Sequence, residues 1–120
     1  MFLENKVLRC SIFVMLFLLF TACATPQNAR DKGPIAMYKS TKKAKAVSAC
    51  VATAWESDYG LTNPVNVRPT ENGYTLQISA NANTMVLLDI IDVDGGSESK
   101  YYKGYVLFEE KWDKAVESCQ

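Results

Sequence analysis

Four cysteines, thirteen carboxylates and no histidine bound the chemistry open to this 120-residue chain. Without histidine there is no usual general base, no triad imidazole and no commonest zinc ligand. The cysteines are Cys10, Cys23, Cys50 and Cys119, and none has the C-x-x-C spacing that tunes a thiolate for redox work. Asp89, Asp92, Asp94 and Glu98 are the densest carboxylates. A glycosidase would need two acids facing each other across a cleft, and nothing in the sequence suggests one. The cluster Lys100, Tyr101, Tyr102, Lys103 and Tyr105 has two readings. Its rings serve the core and helix junction, or rings and lysines together form a contact surface at a sheet edge for a protein or glycan.

The stretch Asp92-x-Asp94-Gly95-Gly96-Ser97 superficially resembles a calcium loop. It departs from the EF-hand pattern at the fifth, sixth and twelfth positions, where Gly96, Ser97 and Lys103 stand. A polar hairpin turn is expected there. No catalytic residue, metal site or cofactor is expected anywhere, and the chain reads as a non-enzyme.

The first 22 residues have the three parts of a secretory signal. Lys6 and Arg9 form a positive start, Ile12 to Phe20 an apolar run, and Thr21 and Ala22 the small residues before a cut. The apolar run is far shorter than the ~20 residues that span a bilayer. Its end, Leu19-Phe20-Thr21-Ala22-Cys23, resembles the lipobox of bacterial lipoproteins, with Phe20 where that family prefers Leu. The resemblance implies that Cys23 receives a diacylglyceryl group and that residues 1–22 are then removed as a lipoprotein signal peptide. Ala24 follows the cysteine, and by the same resemblance points to the outer membrane rather than inner-membrane retention. Cys10 is no rival site, because Arg9 precedes it and no apolar run comes before it.

With Lys6, Arg9 and Glu4 gone, the remaining 98 residues hold 11 basic and 12 acidic side chains. That balance lacks the basic excess of a nucleic-acid binder. The one local bias, Lys39, Lys42, Lys43 and Lys45, reads as a solvated helix start or as a patch facing anionic head groups.

Residues 23–38 have a tether's composition, with Pro26, Gly33 and Pro34 and no periodicity, so a flexible linker is expected. The folded domain is expected over 39–120. A helix from about Ser40 to Tyr59 buries Ala44, Val47, Val51, Ala54 and Trp55, with Ser40 or Thr41 capping its start and Gly60 at its end. Strand signals follow Asn63-Pro64 and begin with Val65-Asn66-Val67. Asn72-Gly73 suits a type I′ turn, and Tyr74, Leu76 and Ile78 alternate with Thr75, Gln77 and Ser79 on a solvent face. After the loop Asn81-Ala82-Asn83, Thr84 to Asp94 is apolar on both faces, as a central strand is. Asp94-Gly95-Gly96 turns the chain into a fourth strand over Ser97 to Tyr102. Phe108, Trp112, Ala115, Val116 and Cys119 return to helical spacing. The expected fold is α+β: N-terminal helix, four-stranded antiparallel meander, C-terminal helix, with the helices packed on one face of the sheet.

Cys50 and Cys119 lie on the apolar stripes of the two helices and are expected to form a disulfide in an oxidising compartment. Closing so long a loop contributes about 4 kcal/mol in the chain-entropy model. The resulting expectation is a membrane-anchored envelope protein facing the periplasm. It would act as a small binding or interaction module, touching membrane lipid through its acyl anchor and a protein partner in the envelope. The alternative is an inhibitor or modulator of a periplasmic enzyme, a protease or cell-wall hydrolase.

Overall fold

Leu87 and Leu88 are adjacent on one strand and both are fully buried, so that strand must be covered on both sides. The computed structural model shows how; it describes residues 25–59, 65–80, 83–104 and 110–120. In chain order the elements are α1 (Pro26–Asp31), β1 (Ala36–Ser40), α2 (Ala44–Tyr59), β2 (Asn66–Pro69), β3 (Gly73–Ala80), β4 (Asn83–Val93), β5 (Gly96–Lys103) and α3 (Glu110–Ser118). The strands form one antiparallel sheet in the order β1-β5-β4-β3-β2, which puts β4 at its centre.

The α+β class holds, and the strand count is corrected from four to five. The additional strand, β1, runs through the segment expected to be tether and helix start. Its residues offered no apolar alternation. It forms because its backbone completes the edge of β5, from Ala36 opposite Tyr101 to Ser40 opposite Ser97. The expectation of a tether is corrected further upstream. Residues 26–31 form a helix whose start is capped by Thr25, with Pro26 in the first turn, where a missing N–H costs nothing.

The two expected helices share one face of the sheet, and the second correction is the additional helix α1 on the other. One face of the sheet carries Leu76, Ile78, Val86, Leu88, Ile90 and Tyr101, packed with Val47, Val51 and Trp55 of α2 and Trp112, Ala115 and Val116 of α3. The other face carries Leu87 and Tyr102, covered by Ala29 of α1. At ~1.5–3 kcal/mol for each fully buried large apolar side chain, the first face supplies most of the stability.

Of the expected stripe of α2, Ala44, Val47, Val51 and Trp55 are fully buried, Ala54 is partly buried and Cys50 is exposed. Its start is capped from a distance: Asp92 Oδ1 of β4 accepts the Ala44 N–H at 2.8 Å. This carboxylate also faces the helix start, where the early lysines oppose the dipole. Ser40, expected with Thr41 as a candidate cap, lies in β1, and its Oγ accepts the Lys42 N–H.

The β2–β3 turn is centred one residue earlier than Asn72-Gly73. Thr70 N–H donates to Gly73 O, and Gly73 opens β3 without a positive φ. A Cβ at Gly73 would lie 1.9 Å from Ile90 O, so close approach of two strands requires the glycine. Gly95, in the expected Asp94-Gly95 turn, does have the left-handed φ of 83°.

Cys50 and Cys119 are bridged, with Cα atoms 5.7 Å apart. Cys119 is buried and Cys50 exposed, so the bond ties the chain end to the outer flank of α2. The leader with Cys23, Gly60, the Asn63-Pro64 turn, Asn81, Ala82, Tyr105 and Phe108 lie outside the described residues.

Candidate functional site

Alternation along β5 sends neighbouring residues to opposite faces, and this separates the expected lysine–tyrosine surface. Tyr101 is fully buried in the α2–α3 core, and Tyr102 packs under α1. Lys100 is exposed on the α1 side, while Lys103 on the other side pairs with Asp113 Oδ2 at 3.3 Å. Nor is β5 an edge, because β1 lies against it. The expectation that these residues act as one surface is corrected, and the core reading applies to both described rings. Tyr105 cannot be placed, lying outside the described residues.

A concave site lies instead on the α1 side of the sheet. It is about 340 Å³ in volume and is lined by Arg30, Thr75, Asp89, Glu98, Lys100 and Tyr102, with Thr70, Tyr74, Ile90 and Ile91 completing its walls. Register explains the convergence: Thr75 stands opposite Asp89 and Asp89 opposite Lys100, so the three share one face across β3, β4 and β5. Arg30 arrives from α1, 59 residues away in sequence.

Asp89 is the hub. Arg30 Nε donates to its Oδ2 at 2.8 Å and Arg30 Nη2 to its Oδ1 at 2.9 Å, a two-pronged pair. Thr75 Oγ1 donates to Oδ1 at 2.7 Å. Burial alone would raise the Asp89 carboxyl. Hydrogen bonds from Arg30 and Thr75, with the Arg30 charge and a smaller one from Lys100, more than offset it and hold the group below the ordinary carboxylate value. Burial, and then the Asp89 charge, push the Tyr102 phenol up, with Arg30 acting the other way. Thr75, expected on a solvent face, is buried, with its hydroxyl bonded to Asp89.

A carboxylate with its acceptor sites occupied by a guanidinium and a hydroxyl is a weak base. The arrangement is suited to holding a polar or charged group, with Lys100 and Glu98 at its rim. Of the other acids singled out in the sequence, Asp92 is engaged as the cap of α2. Among the described residues no three His, Cys, Asp or Glu side chains are grouped to hold a metal ion, and no helix is long and apolar enough to cross a membrane.

Sequence reasoning missed Arg30 and Asp89 as a pair. Asp89 offered one signal, an acid flanked by apolar residues in the central strand, which favours a partner. Arg30 offered none, because it sat in a segment read as tether. The basic run is also divided: Lys42 Nζ reaches Cys119 O and Lys43 Nζ reaches Val93 O, while Lys39 lies on β1. No protein-family model matches the chain, and no curated protein or solved structure is significantly similar to it.

Proposed function

We propose that this chain is an exported, lipid-anchored envelope protein whose folded domain is a non-enzymatic binding module. In this reading residues 1–22 are a signal peptide, Cys23 carries the acyl anchor, and the domain faces the periplasm from the outer membrane. The observation that carries it is the Cys50–Cys119 bridge, which belongs in an oxidising compartment and agrees with a lipobox-like leader. Two or three acyl chains, at ~0.8 kcal/mol for each buried methylene, make a durable anchor.

The concave site around Arg30 and Asp89 supports binding over catalysis. It offers charged and hydroxyl groups in fixed positions but holds its best-placed carboxylate in an ion pair. The experiment is metabolic labelling with a radioactive fatty acid. Cys23→Ser is expected to abolish label and release the protein from the outer-membrane fraction. A labelled Cys23→Ser protein that still fractionates with the membrane would sink the anchor assignment, and free Cys50 and Cys119 thiols in cells alkylated before lysis would sink the compartment.

A further inference from the structure

Helix α1 starts so close in sequence to Cys23 that an anchor there would constrain the whole domain. Thr25 Oγ1 accepts the Asn28 N–H at 3.2 Å and caps α1, and only Ala24 separates Thr25 from Cys23. Two residues reach at most about 7 Å even fully extended. Helix α1 is in turn fixed to the sheet, by the two Arg30–Asp89 hydrogen bonds and by Ala29 against Leu87 and Tyr102. An anchor at Cys23 therefore holds the α1 side of the sheet at the lipid surface.

Resting on the reading of Cys23 as acylated, we propose that the α1 side of the sheet seats on the phospholipid head groups of the anchoring bilayer, with Ile35 and Met37 inserted among them. These two are the most exposed large apolar side chains of the described residues, at 52% and 68%. The register places Met37 opposite Lys100, on the face that α1 occupies, and alternation puts Ile35 and Lys39 on that face too. Ile35 is held rigidly at the mouth of β1, its N–H bonded to Tyr101 O at 2.8 Å. Apolar side chains flanked by lysines suit the boundary between acyl chains and head groups, where lysine stems lie along apolar surface and their charges meet phosphate. The opposite face is closed by α2 and α3 and bonded shut by the disulfide, so it points away from the bilayer. The acyl chains supply the attachment; the seat fixes its orientation. It also turns the Arg30–Lys100 concavity toward lipid phosphates.

The test uses full-length acylated protein with a benzophenone amino acid at position 37, or at position 53 on the exposed side of α2. Each is reconstituted into vesicles of phosphatidylethanolamine and phosphatidylglycerol, floated, checked for its acyl group by mass, and irradiated. Lipid adducts are expected several-fold more from position 37 than from position 53. Equal lipid labelling from both positions overturns the proposal, as does an adduct from position 37 to a second copy of the chain. Flotation without a lipid adduct at position 37 overturns the seat alone. A chain that lacks an acyl group or fails to float overturns the anchor reading and the seat with it.

Discussion

The two faces of the sheet are held by different forces. On the α2–α3 side a continuous apolar core runs from Ala44 to Cys119 and is closed by a covalent bond. On the α1 side the apolar contact is Ala29, Leu87 and Tyr102, and a partly buried ion pair does the rest. Apolar burial adds up residue by residue. A pair at the surface contributes about 0–1 kcal/mol, nearer the top of that range when two-pronged, as here. The first face can therefore carry global stability, whereas the second can open locally without unfolding the sheet. The face that can open is also the one that carries the concave site.

Charge inserted at adjacent positions of β4 gives the largest test of this contrast. Leu88→Asp places a carboxylate in the closed core and is expected to cost roughly 4–5 kcal/mol or more, enough to unfold a domain of marginal stability. Leu87→Asp is relieved when α1 lifts off, so its cost is expected to be smaller, at about 2–3 kcal/mol. Thermal melts in one buffer would show it; equal losses would mean that the two faces are equivalent.

The disulfide comes next. Replacing Cys50 and Cys119 together by alanine is expected to cost about 4 kcal/mol, or roughly 15–30 °C in melting temperature for a domain of this size. A shift of only a few degrees would mean that the closed face stands without its bond.

Arg30→Ala sharpens the other side. It leaves Asp89 partly buried with only Thr75 and is expected to cost about 1–3 kcal/mol. By hydrogen exchange, the α1 amides should become fast while those of β4 stay protected; uniform loss across the sheet would refute local opening. Thr75→Asp, setting a second carboxylate against Asp89, should act in the same direction. Gln77→Asp should do less, although it removes side-chain bonds to Ser79 and Thr84.

The smallest expected effect is that of pH. Asp89 is held below its unfolded value, so its contribution is fully present above about pH 4 and is lost as pH falls through the folded value. Exchange of the α1 amides should therefore accelerate below about pH 4 before the α2 amides respond. Simultaneous loss would place the acid-sensitive contact elsewhere.

The sequence by itself determined the local features, because these depend on neighbours three or four residues apart or on a single residue's chemistry. The α2 and α3 stripes, the two-faced burial of β4, the Gly95 turn and the Cys50–Cys119 pairing all follow from spacing and from the oxidation of paired thiols. The proposed leader and Cys23 rest on sequence alone, on a charge, an apolar run and a small residue before a cysteine. Tertiary structure decided what depends on distant partners. Residues 36–40 carry no alternation in sequence and become β1 because β5 offers unpaired backbone. Asp92 reads in sequence as part of a polar hairpin turn and is a helix cap, since the start of α2 lies beside the end of β4. Arg30 looked like part of a tether and became the partner of Asp89. A partly buried carboxylate in a central strand favours a cation beside it, but only the folded chain determines which one arrives.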